Sequence, residues 1–122
     1  MILLGVALAG ALGAPARFLL ERAVSASHRR SFPWGTFVVN VSGSFALGLL
    51  AGLVLAQGWS KDAQTLLGTG FLGAYTTFST YAYETVRRAE EGTPRVAVAY
   101  AVGSLAVGIA AAALGLVAAG AW

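Results

Sequence analysis

The sequence contains no cysteine, which excludes disulfides and thiolate metal sites. It is also short of charge: of 122 residues only 11% are Asp, Glu, Lys or Arg, while 57% are hydrophobic. A soluble domain gives about a quarter of its residues to charge. A water-facing exterior, and a soluble enzyme with it, are therefore excluded. The charges that are present cluster at positions 17–30, 61–62 and 84–95 and leave long uncharged runs between them. A net charge of +3 confined to those clusters is too small to argue for a nucleic-acid partner and reads instead as membrane topology. No carboxylate lies deep in an apolar run. Glu21 and Glu84 sit toward run ends, close to arginines, whereas a proton-coupled pump presents a deeply buried acid.

What the sequence does have is length between its charges. A bilayer crossing needs about 20 apolar residues. The runs predict an all-α membrane protein, a single domain of four transmembrane helices over residues 2–24, 35–57, 64–88 and 95–122. The first run has no basic segment before it and no concentrated cleavage site, so it reads as a retained helix and not as a signal peptide. Pro33 is placed to start the second span. Trp59 and Trp122 are placed as interfacial anchors. Four spans put both termini on one side.

Sixteen glycines are present, and small residues recur every fourth position: Gly5, Ala9, Gly13; Ser44, Gly48, Gly52; Ser104, Gly108, Ala112. Such rows drift only about 40° per step around a helix and let helix backbones approach closely in lipid. A tight bundle follows, not a wide aqueous pore. Polar residues follow the same spacing. Thr36, Asn40 and Ser44 form one line on the second span, Tyr100 and Ser104 another on the fourth, and Arg17 continues the Gly5–Ala9–Gly13 row. These groups offer mainly hydrogen-bond donors, an interior that suits an anion better than a cation. Ser44 and Ser104 could equally bond back to their own helix carbonyls.

The third span is the unusual one. Residues 70–81 are crowded with Gly and Thr, both poor helix formers, and predict a break over Gly73–Thr77. Freed carbonyls at membrane depth need a partner that lipid does not supply, and a hard cation such as Na⁺ is one candidate.

Gly70-Phe71-Leu72-Gly73-Ala74-Tyr75-Thr76-Thr77-Phe78-Ser79-Thr80 resembles the third-span signature of the Fluc/CrcB fluoride channels. Pro33-Trp34-Gly35-Thr36-Phe37-Val38-Val39-Asn40-Val41-Ser42-Gly43-Ser44-Phe45 resembles their second-span signature, and Gly13-Ala14-Pro15-Ala16-Arg17-Phe18 their first-span pattern. The resemblance covers essentially the whole chain. It implies a dual-topology dimer of antiparallel subunits in the bacterial plasma membrane, with two narrow pathways for passive fluoride export. It also implies a structural, untransported Na⁺ at the dimer centre, held by backbone carbonyls of Gly73 and Thr76. Phe78 and Tyr81 match the pore aromatics and Asn40 the pore asparagine. Thr36, Tyr100 and Ser104 match the polar track, with Thr77 beside it. Glu84 matches the acid ending the third span, and Arg17 the first-span arginine.

Two features depart from the family pattern. Tyr81 stands where the second aromatic is usually Phe, and its hydroxyl could add a donor. The loops on one side carry Arg22, Arg29, Arg30, Arg87, Arg88 and Arg95 against Lys61 alone on the other. A dual-topology homodimer should show little such bias, so a heterodimer with an oppositely biased sister chain stands beside the homodimer. The competing classes are a small four-span drug/proton antiporter, which needs a deep acid in its first span, and a non-transporting packing subunit.

Overall fold

The computed structural model describes residues 2–27 and 32–120, apart from the side chains at 25–27 and 79. Arg29, Arg30 and Trp122 lie outside the described residues. Helix α1 spans Ile2–Ser27 and α2 spans Trp34–Gln57. The third segment is composite: one turn, α3 (Lys61–Ala63), runs into a π-helix over Gln64–Leu72, then into the short α4 (Gly73–Tyr75). After an interruption, α5 covers Phe78–Glu90 and α6 covers Pro94–Ala118. The 24 residues of α2 measure about 36 Å at 1.5 Å per residue, enough to cross a bilayer. Segments of α1, α2 and α6 are long and apolar enough to do so.

Local signals explain the element ends. Pro33 precedes α2, and its carbonyl accepts the first bond, from Phe37 N–H. Gly58, at φ 73°, ends α2 in the left-handed conformation that glycine adopts without penalty. Thr93 folds its hydroxyl back onto the Arg88 carbonyl at 2.6 Å, and Pro94 then occupies the first turn of α6, where its missing N–H costs nothing. Helix α1 runs through the expected first loop as far as Ser27.

The main packing contact is α2 against α6, followed by α1 against the π-helix. Both depend on small residues. A Cβ on Gly48 would overlap the Ala112 carbonyl, and one on Gly115 would overlap the Phe45 carbonyl and come within 2.5 Å of the Leu49 amide. In the other contact, a Cβ on Gly70 would come within 2.8 Å of the Ala9 Cβ. Two of the rows seen in the sequence are thus surfaces where backbone meets backbone. The outer faces are apolar: Leu3, Leu12 and Leu19 of α1 are all exposed, which suits a hydrocarbon surrounding and not water.

The close approach can be tested. Gly48→Val should lower stability by at least about 1–3 kcal/mol, the usual cost of overpacking, measured as an earlier thermal loss of the folded peak in detergent. Gly103→Ala, where an added Cβ meets nothing within 4 Å, should be silent. Equal behaviour of the two variants would contradict this packing.

Candidate functional site

The interruption of the third segment is two residues long. Thr76 (φ −82°, ψ 159°) and Thr77 (φ −148°, ψ 119°) are extended, whereas Gly73 (φ −60°, ψ −37°) is helical. The break expected over Gly73–Thr77 therefore narrows to Thr76–Thr77. Glycine had marked the wrong end of it. Gly73 is a good deal less damaging to a helix that is already loosely wound as a π-turn, with its N–H shared between the Gly68 and Gly70 carbonyls.

Two adjacent threonines make the break through their side chains. The Thr76 hydroxyl turns back to the Leu72 carbonyl at 2.9 Å and closes the upstream limb. The Thr77 hydroxyl caps α5 by accepting from Thr80 N–H at 3.2 Å, and it donates to Thr80 Oγ1 at 3.2 Å. That leaves the Thr77 peptide groups themselves. Asn40 on α2 meets both: its Nδ2 donates to Thr77 O at 2.9 Å, and its Oδ1 accepts from Thr77 N–H at 3.0 Å. One amide side chain thus does for Thr77 what a neighbouring strand would do. Behind the break, a Cβ on Gly43 would overlap Thr76 Cγ2, so α2 and the extended pair fit only with glycine there.

The residues singled out in the sequence fall into two groups. Asn40, Ser44, Thr76, Thr77, Phe78, Tyr81 and Ser104 line a cavity of about 310 Å³, together with Leu47 and Leu105. The Ser104 Oγ is buried there without a partner. It does not bond back to its own helix, as Thr65, Thr76 and Thr85 do. Phe78 opens α5 and is 78% exposed. Tyr81 differs from the sequence expectation: its hydroxyl is committed to the Ala101 carbonyl at 2.8 Å and ties α5 to α6, so it adds no donor to the cavity. The lining contains no carboxylate.

Arg17, Thr36, Glu84 and Tyr100 form the second group. Tyr100 is fully buried, with its ring 5.3 Å from that of Tyr81, which in turn stands 5.8 Å from Phe78. The aromatics therefore connect the two groups. Glu84 also lines a polar pocket of about 460 Å³ with Tyr83, Arg87, Arg88, Glu91 and Thr93. There Arg87 Nε bonds Glu91 at 2.8 Å and holds that carboxyl below the usual range. One residue outside the sequence-predicted set joins these groups: Glu21 lies near Arg17, Thr36 and Glu84, and its signal was its position one turn after Arg17.

A sequence profile of the family described as CrcB-like protein, Camphor Resistance (CrcB), matches residues 4–116. The chain belongs to the CrcB family. Its curated relatives in that family include fluoride-specific ion channel FluC 1 of Leifsonia xyli subsp. xyli, 46% identical over 116 residues, covering 95% of this chain and 85% of the relative. FluC 2 of Mycobacterium bovis is 49% identical over 114 residues, covering 93% and 87%. FluC 1 of Symbiobacterium thermophilum is 46% identical over 117 residues, covering 94% and 93%. As a CrcB protein, the chain is a multi-pass protein of the bacterial plasma membrane and not an enzyme.

The double bond from Asn40 generates a prediction. Asn40→Leu strands the N–H and C=O of Thr77, each costing about 1–3 kcal/mol if left unpaired. Thermal unfolding of the purified protein should therefore place the Leu variant below native; a Leu variant as stable as native would mean that the break is held by something else.

Proposed function

We propose that this chain forms a fluoride-specific ion channel that lets fluoride leave the cytoplasm passively and so reduces its toxicity. The observation that carries this reading is the cavity at the broken helix. It combines donor groups, an absence of carboxylates in the lining, and the N-terminal end of α5. A helix start carries partial positive charge and unpaired amides at the end of the peptide dipoles, and half-helices aimed at mid-membrane bind anions in this way. Fluoride is small and strongly hydrated, so its water must be replaced by donors. The second Nδ2 hydrogen of Asn40 and the Ser44 and Ser104 hydroxyls supply them, while ring edges of Phe78 and Tyr81 add partial positive charge. From there Tyr81 and Tyr100 lead toward Thr36 and Glu84 at the polar pocket. Arg17 adds a cation at that end. The names of the CrcB relatives point to the same ion.

The reading includes an antiparallel dimer. Phe78, at the cavity, is exposed in the single chain, as is Gly73, and a second copy would cover both. The excess of arginine on one side gives one specific reason to favour an oppositely biased sister chain as that partner.

It also includes a structural Na⁺. The residues fit one: among the described residues no backbone amide bonds the carbonyls of Gly73 or Thr76, and no group of three acids, histidines or cysteines offers a divalent site. These neutral oxygens from two chains would hold the ion. When bound, it supplies positive charge that offsets the cost of bringing an anion out of water.

Fluoride release from liposomes that contain only this chain, followed with a fluoride electrode, tests the function. Rapid fluoride release with chloride retained is expected; equal release of chloride would remove the claim of specificity. Release only after co-expression with a sister chain would select the heterodimer. Tyr81→Phe should keep the flux while losing about 0.5–1.5 kcal/mol from its bond to α6. Exchange of Na⁺ for a large organic cation should weaken both the dimer and the flux, and unchanged values would defeat the sodium site.

A further inference from the structure

Five polar side chains gather where α1, α2, α5 and α6 meet: Arg17, Glu21, Thr36, Glu84 and Tyr100. Glu21 lies within electrostatic reach of Arg17 and Glu84 and beside Thr36. The Tyr100 hydroxyl lies beside Thr36 and within reach of both glutamates and of Tyr81. Yet the Arg17 Nε, one carboxyl oxygen each of Glu21 and Glu84, and the Tyr100 hydroxyl are all buried without a hydrogen-bond partner. Arg87 pairs with Glu91 and lines the same polar pocket as Glu84. Arg88 lines that pocket as well, and Glu21 does not.

The charges within the cluster do not balance. Two carboxylates and one guanidinium leave one net negative charge, with Thr36, Tyr81 and Tyr100 neutral. An uncompensated buried charge is costly, at membrane depth above all, and two carboxylates in one site do not both ionise readily. A single added positive charge resolves the imbalance. Of the two small candidates, a proton needs no coordination shell, and it turns one acceptor-only carboxyl oxygen into a donor that the other carboxylate can accept from. A metal cation would need several oxygens converging on one point.

We propose that Glu21 and Glu84 share one proton at neutral pH, forming a buried proton-binding site across α1 and α5. Glu21 is essential to it. With Glu84 alone, Arg17 would balance the charge and no proton would be held. The site itself does not depend on the fluoride reading. Its consequence does: a shared proton removes a negative charge that would otherwise repel an anion beside Tyr100.

Infrared spectroscopy of the reconstituted protein tests this without reference to transport. The chain has only five side-chain acids, and Asp62, Glu90 and Glu91 are exposed. The native protein should show one protonated-carboxyl C=O band that shifts in D₂O and disappears on titration to alkaline pH. Glu21→Gln and Glu84→Gln should each abolish the band, although each retains the other glutamate, because Arg17 then balances the remaining carboxylate. Absence of the band in the native protein at neutral pH, or its survival in either variant, would overturn the proposal. A band that appears only when Na⁺ and K⁺ are replaced by a large organic cation would overturn it too, in favour of a metal cation. The titration of the native protein needs no variant and stands if either substitution fails to fold.

Discussion

Lipid gives a peptide group nothing to bond to, and the rest of the structure follows from how the chain meets that constraint at one residue. Thr77 is extended in the middle of a segment that would otherwise be helical, and its N–H and C=O have no helix to return to. Asn40 supplies both partners from α2. Once that pair is made, the start of α5 can sit inside the protein, where its dipole faces a cavity lined in part by hydroxyls. The same two bonds fix the orientation of the Asn40 amide and leave its second hydrogen available. An interaction that looks structural therefore also sets the chemistry of the cavity.

Close helix packing makes the clamp possible. Asn40 has a short side chain, and it reaches the Thr77 backbone because α2 lies close to the broken segment at Gly43. The rows of glycine and alanine along α2, α6 and α1 bring the backbones together, and α2 is pressed against α6 where Gly48 meets Ala112 and Gly115 meets Phe45. In lipid this kind of contact replaces the hydrophobic effect as the source of association. Tyr81 adds a tie of another sort, its hydroxyl holding α5 to the Ala101 carbonyl.

Much of this was legible in the sequence. Uncharged runs gave the apolar helices, since length and composition alone decide whether a helix can cross a bilayer. The four-residue rows gave two of the packed faces and the polar line Thr36–Asn40–Ser44. Partner choice was not legible. Asn40 read as a donor on the polar line, but its partner could not be named, because the match to Thr77 spans 37 positions of sequence and has no local signature. The position of the break was displaced toward Gly73 because glycine is the stronger helix breaker in general, whereas here paired threonine hydroxyls act as the two caps. The π-helix over Gln64–Leu72 was likewise not read from the sequence, because no residue type there marks i→i+5 bonding in advance.

Asn40 is the single asparagine in the chain, so ¹⁵N-asparagine marks one end of the clamp uniquely, and ¹³C-threonine supplies the other. Solid-state NMR of the protein in lipid should show a through-space correlation between the Asn40 side-chain nitrogen and the Thr77 carbonyl carbon, with extended-backbone shifts at Thr76 and Thr77. Helical shifts at both threonines and no correlation would contradict the account at its centre.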